Sequence, residues 1–420
     1  MLKMKTAVKP SALRLVPLLR LALLLSLSTS CLLPLCALAA SSNAPPAKTV
    51  SSKAKDAETK HAETKHEVDL LVERANDEIA NGHLDAGIEL ALQGLQLDIT
   101  SAQAAWSAGY GYQLKSDTKR AIEYYTMAAL LDPTMSQAYC NRALCYEDFN
   151  HHDYALEDFS KAIELDPKND YAFASRAEVN YVLGKYDDCI VDARKAIELN
   201  KDNAFAYAQL GAALSAQGKY SEAVDAHKSV VARDKSRPVY FKNLALAQIQ
   251  LKQYDNALGS LSDSLAVRPT GDTYRLRAEV YARQGEFKKA LADYSAAIRL
   301  NRDDSYALSG RAVINYLLGD SQAAVDDART AAKMLVTDPD AYVSLVVEDN
   351  AKGLNQATRI NYLRRALQTY DGKYDGRLFL LSGCEELKAN RKDLAQANFD
   401  LAKNFGFTAT GAAGNGGKTK

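Results

Sequence analysis

Residues Ser136–Asn169 read SQAYCNRALCYEDFNHHDYALEDFSKAIELDPKN. The stretch is 34 residues long and its small side chains recur outside it in both directions. Ala143 is one of a column formed by Ala75, Gly109, Ala143, Ala177, Gly211 and Ala245, each 34 residues from the last. Ala278 follows at an interval of 33 and Ala312 at 34. Twelve residues after each stands a second small residue: Gly87, Ala121, Ala155, Cys189, Ala223, Ala257, Ala290 and Ala324. Seven further on comes a third column, Gly94, Ala128, Ala162, Ala196, Val230, Ser264, Ala297 and Ala331. Three columns in phase over eight units exceed what composition produces.

The columns have a physical reading. Small residues at fixed points let two antiparallel helices approach closely. A seven-residue separation is two helical turns, so the second and third columns share one face of a second helix. Between the two helices, Gly82, Gly184, Gly218, Gly285 and Gly319 stand at one offset. That is where a helix end uses the left-handed conformation. The body's prolines, Pro133, Pro167, Pro238, Pro269 and Pro339, all fall between units. Inside a helix each would cost about 3 kcal/mol. Every unit therefore reads as helix, tight turn, helix, turn.

On these residues the body resembles the tetratricopeptide-repeat family, whose 34-residue helix–turn–helix unit carries an Ala-x3-aromatic…Pro pattern. Tyr139, Ala143, Tyr146, Ala155, Phe159, Ala162 and Pro167 occupy the family's positions, as do Gly109, Tyr112, Ala121, Tyr125, Ala128 and Pro133. The family usually has Leu before the first small residue, where this chain has Arg142, Arg176, Arg277 and Arg311. The resemblance implies an all-α fold: a right-handed superhelical solenoid of about ten antiparallel helix pairs. Eight units are expected over 68–337, a degenerate one over 338–374 and a capping one over 375–407. In the cap, Glu385, Glu386, Lys388, Asn390, Arg391 and Lys392 are expected on the surface. The tail 408–420 lacks core residues.

The resemblance also implies ligand contacts from positions 2, 5, 9 and 12 of each first helix, counting the first small residue as position 8. Here those positions bring Trp106, Tyr110, Tyr171, Tyr181, Phe205, Lys242, Arg275, Tyr306 and Tyr316, with Asn141 and Asn243 one place round at position 6. Glu147, Glu178 and Glu279 add polar positions. Aromatic and Arg side chains anchor peptides and partner helices; the competing reading makes each of them a packing residue between repeats. The family's clamp for a terminal carboxylate needs Lys and Asn around an Asn such as Asn141 or Asn243. Trp106, Tyr110, Tyr171 and Ser175 flank the first, and Asp272 and Leu276 follow the second, so the clamp is not expected.

The remainder of the chain sets limits. It has 420 residues, is 47% hydrophobic and 25% charged, and balances 52 Lys and Arg against 52 Asp and Glu. Composition excludes wholesale disorder and a polytopic membrane protein, and zero net charge does not favour nucleic acid. Residues 1–40 carry Lys3, Lys5, Lys9, Arg14 and Arg20 but no acid. A basic start, an apolar run over 15–35 and Ala37-Leu38-Ala39 form a secretory signal, and export to the periplasm or medium follows. The alternative is an uncleaved membrane anchor over 21–40, membrane contact then being confined to residues 1–40. A lipoprotein through Cys31 or Cys36 fits less well.

Residues 41–67, with Ala57-Glu58-Thr59-Lys60-His61 repeated as Ala62–His66, have few large apolar groups and are expected to form a disordered linker. No HExxH, GxxxxGK[ST], GxSxG or CxxC motif occurs, and no catalytic residue, cofactor or metal is expected. His151-His152 reads as a solvated turn. Cys140 and Cys145, about 140° apart on one helix, should not bond to each other. The thiols are expected to be mostly free and buried, with a Cys145–Cys189 bridge the one pairing to check and Cys384 the remaining thiol of the body. The expectation is an exported, non-enzymatic scaffold binding a peptide segment or partner protein. Alternatives are an accessory subunit that presents substrate to an enzyme, or a homo-oligomer through its end repeats.

Overall fold

The computed structural model describes residues 47–334, 382, 385, 386 and 390–404. The signal or anchor at 1–40, the degenerate unit at 338–374, the tail at 408–420 and Cys384 lie outside the described residues. Within them the order is α1 (Ala47–Ala80), α2 (Leu84–Leu97), α3 (Ala102–Leu114), α4 (Thr118–Leu131), α5 (Ser136–Asp148), α6 (His152–Leu165) and α7 (Asp170–Val182). Then come α8 (Tyr186–Leu199), α9 (Ala204–Ala216), α10 (Tyr220–Arg233), α11 (Pro238–Gln250), α12 (Tyr254–Val267), α13 (Gly271–Arg283) and α14 (Phe287–Leu300). Finally come α15 (Ser305–Leu318), α16 (Ser321–Met334) and α17 (Lys392–Asn404). Among the described residues there is no strand. Two compact units divide the chain, Met1–Val179 and Asn180–Lys420, with the boundary inside α7.

In the first unit each helix from α1 to α6 packs on the next, and in the second the same holds from α8 to α16. The all-α solenoid of helix pairs is therefore the observed fold. All three small-residue columns are buried throughout, Ala143, Ala155 and Ala162 being fully excluded from solvent. A further position, sixteen residues after the first column, completes the interface: Tyr125, Phe159, His227, Leu261 and Tyr294 are all buried there. Bulk there is matched by smallness in the first column. A Cβ on Gly109 would meet the Tyr125 ring at 2.9 Å, and one on Gly211 the His227 ring at 2.6 Å. At such distances the ring must move or the helices must part.

Between paired helices, the expected left-handed residue is present in every unit. Gly82, Gly184, Gly218, Gly285 and Gly319 have φ between 73° and 89°. The three units without Gly there adopt the same turn with Ser116, Asn150 and Lys252 at φ 61°, 56° and 58°. Between units, the side-chain oxygen of an aspartate or asparagine accepts from the backbone amide two residues on, Asp132 Oδ1 from Thr134 N at 2.9 Å and Asn200 Oδ1 from Asp202 N at 3.0 Å. Ser101, Asn169, Asn203 and Asp304 then cap the next helix by accepting from the amide three residues later.

Two expectations are corrected. The linker expected over 41–67 is helical from Ala47, as part of the 34-residue α1. Its Ala, Lys and Glu favour helix despite the lack of apolar groups. Further along the same helix, Val68, Val72, Ala75 and Ile79 are buried along one face. In the capping unit, Glu385 and Glu386 are buried and not on the surface. The Tyr316 hydroxyl donates to Glu385, and Arg391 Nε lies 2.8 Å from Glu386 Oε2 in an ion pair. Ala402 joins the core formed by α13 to α16, with Phe399 packed against it. Charge is tolerated inside only where such partners meet it.

Candidate functional site

Three of the arginines that stand before the first column, Arg142, Arg277 and Arg311, share one role. Arg142 Nε and Nη2 donate to the two carboxylate oxygens of Asp158 at 2.7 Å each, while Nη1 donates to Thr126 at 3.1 Å. Arg277 does the same with Asp293 at 2.7 and 2.9 Å and Ser262 at 3.0 Å. Arg311 repeats it with Asp327 and Ser295. Arg176 donates to Ser160 at 3.1 Å, and Asp192 stands sixteen residues after it. The guanidiniums of Arg142, Arg277 and Arg311 thus each bolt a first helix to two second helices. The signal was present in the spacing: an Asp sixteen residues on and a Ser or Thr about sixteen back. These arginines are structural and leave the first-helix face to other residues.

On that face of the first unit, Trp106 and Tyr110 of α3 stack with ring centroids 5.4 Å apart and planes at 11°, both half-buried. Asn141 points inward. Its Nδ2 donates to the Tyr125 hydroxyl at 3.2 Å, which donates to Gln113 Oε1 at 2.6 Å. Its place one position round from the groove set puts it against the preceding second helix. Tyr171 is the open member, 49% exposed at the start of α7. Near it lie Glu147 at the end of α5 and Glu178 on α7, both half-buried and both acting on the Tyr171 phenol. Burial raises the Glu147 carboxyl above its ordinary range, helped by Glu178 and opposed by His152, whose Nδ1 is 3.4 Å away. Burial likewise raises Glu178.

In the second unit Tyr181 tilts onto Tyr186, with centroids 5.7 Å apart, and Phe205, Lys242 and Asn243 are half-buried. Arg275 is already neutralised: it lies 3.3 Å from Asp272, 3.7 Å from Glu279 and 3.5 Å from Asp304. Its guanidinium carbon sits 5.7 Å from the centre of the Tyr306 ring, which is 47% exposed. Tyr316 is buried and its hydroxyl is used by Glu385, so it is not an open groove residue. The candidate set therefore separates into side chains consumed by the fold (Asn141, Tyr316, and Arg275 through its carboxylates) and open rings, chiefly Tyr171 and Tyr306.

Other chemistry is quiet. Cys140, Cys145 and Cys189 are free buried thiols, each pushed up to about 12, by burial above all. The bridge suggested for Cys145 and Cys189 is not formed. His151 and His152 diverge, the first stacking near Phe149 and Tyr154 and the second facing Glu147. Among the described residues no group of three His, Cys, Asp or Glu is placed to hold a metal, and no helix is long and apolar enough to cross a membrane.

Three segments, 136–169, 193–225 and 275–341, match family models described as Tetratricopeptide repeat. A curated relative, the DnaJ homolog subfamily C member 3 of Gallus gallus, is 34% identical over 91 residues. The match spans 21% of this chain and 18% of that protein. Among solved structures, a tetratricopeptide repeat protein from Parabacteroides merdae is similar at 17% identity and a TM-score of 0.44, over 59% of this chain and 98% of that one. Pseudomonas aeruginosa pilF is similar at 16% identity and a TM-score of 0.45, over 49% and 94%.

Proposed function

We propose that this tetratricopeptide-repeat protein is an exported, non-enzymatic scaffold that captures an extended segment of a partner protein on its first-helix face. The observation that carries the reading is the contrast between the two helix types. The second helices spend their small columns and their Asp residues on packing. The first helices instead hold Tyr171 and Tyr306 half in solvent at the same place in their repeats. A half-exposed Tyr on a rigid helix provides apolar area and a polar tip with little conformational freedom left to lose. Export rests on residues 1–40, and mass spectrometry of the N-terminus of protein from cells tests it.

The binding reading is tested by Tyr171→Ser and Tyr306→Ser. Each should leave the melting free energy within about 0.5 kcal/mol, as exposed substitutions do. Each should also lower photo-crosslinking from a probe placed at Tyr110 or Arg275 to partner proteins of the cell envelope. Equal losses of stability and capture would mean that these rings serve packing between repeats.

A further inference from the structure

One repeat of the second unit puts a titratable imidazole where others put a ring or chain that stays neutral. Sixteen residues after the first column, Tyr125, Phe159, Leu261 and Tyr294 are buried, and His227 is buried in the same place. Its ring lies hard against the backbone of Gly211. A Cβ there would stand 2.6 Å from ring Cε1 and 2.7 Å from Nδ1, so no water fits on that side. The helix that carries it, α10, packs on α9 and α11. α9 has no acidic or basic residue, and the hydroxyl of Tyr207, its one titratable group, is 3.4 Å from Arg233 Nη2 at the surface. α11 has Tyr240, which is buried, and Lys242, whose sign matches that of an imidazolium. On α10 itself Glu222, Asp225, Lys228 and Arg233 are exposed. Neither flanking helix therefore carries a carboxylate that could accept a charged His227. Burial by itself lowers the ring from 6.5 to about 4.

The same repeat lacks the device that fastens others. Leu210 and Ala226 stand where Arg277 and Arg311 hold Asp293 and Asp327. We propose that the repeat 204–237 is an acid-sensitive joint: protonation of His227 parts α9 from α10, while the repeats fastened by Arg277 and Arg311 stay folded. Each opening takes up one proton, because the packed ring is neutral and the exposed ring is protonated below about 6.5. Between pH 7.5 and pH 5.0 the opening equilibrium of this repeat rises about thirtyfold. The first-helix face of α9, with Phe205, is lost from the groove in the open form. This goes beyond partner capture and does not depend on it.

Hydrogen exchange followed by mass spectrometry on the full chain, at pH 7.5 and pH 5.0, tests the joint. Each rate is referred to that of an unstructured peptide at the same pH. The amides of α9 and α10 should exchange about thirtyfold faster at pH 5.0 on that scale, and those of α13 to α16 less than threefold faster. His227→Tyr reproduces the pairing of Gly109 with Tyr125 and should hold the protection of α9 and α10 at pH 5.0. His227→Phe is the smaller alternative if circular dichroism shows that the tyrosine does not fit. Acceleration spread evenly from α9 to α16, absence of acceleration in wild type, or the same acceleration in the folded variant overturns the inference.

Discussion

At the scale of single residues, the turn between paired helices shows which side chains the fold dictates and which it merely tolerates. Lys252 holds φ 58° in a place that five other units give to glycine. A Cβ there costs roughly 1–2 kcal/mol of strain, partly offset by the lower chain entropy of a non-glycine residue. Lys252→Gly should therefore stabilise the protein by up to about 1 kcal/mol, read from the midpoint of urea unfolding; a lower midpoint would contradict the strain. His227 is the complementary case. It fills the space opposite Gly211 and is 2% exposed, and burial lowers its imidazole from 6.5 to about 4. The folded state holds the ring neutral, whereas the unfolded chain protonates it below about 6.5. Stability from this group is thus complete above pH 6.5 and is lost as pH falls toward 4, by about 3 kcal/mol in all. Phe159 and Tyr294 occupy the equivalent place in other repeats. His227→Phe should flatten the pH dependence of melting between pH 6.5 and 4, and an unchanged slope would assign the acid sensitivity elsewhere.

At the scale of elements, helix pairs are joined by two devices of different legibility. The small-residue columns were readable because they recur in the sequence and need no knowledge of the partner helix. The arginine bolts showed in the sequence as Arg in place of Leu with an Asp sixteen residues on, a spacing that names no contact by itself. The charge on Arg142 makes sense once Asp158 and Thr126 are seen on the flanking second helices. Two units make the opposite choice: Leu210 has Ala226 sixteen residues on, and Leu244 has Ser260. Asp158→Ala should destabilise by about 3 kcal/mol, because it strands a half-buried guanidinium. The double variant Arg142→Leu, Asp158→Ala reproduces the Leu210 and Ala226 pairing and should recover most of that loss in thermal melts. Additive losses in the double variant would show that the two side chains do not act as a pair.

At the scale of the whole molecule, stability should behave as a chain of near-neighbour contacts, since helices pack mainly on those adjacent in sequence. Removing residues 204–237, one repeat of 34, joins the capping Asn203 to Pro238 at the first position of α11. That variant should retain helical circular dichroism and cooperative melting. Removing only 204–220 should not, because it leaves a second helix without its first; equal behaviour of the two would refute the repeat as the structural unit. The sequence by itself determined the repeat, its phase, the place of every tight turn and the class of fold. Each of these depends on side-chain size or backbone freedom at one position and returns at a constant interval. Tertiary structure alone decided how the first-helix residues are spent. Asn141 turns inward to Tyr125, Tyr316 serves Glu385, and Arg275 is held by three carboxylates. Those outcomes depend on distances between side chains of different helices. Such distances exist only after the helices have stacked, and no spacing along one strand of sequence carries them.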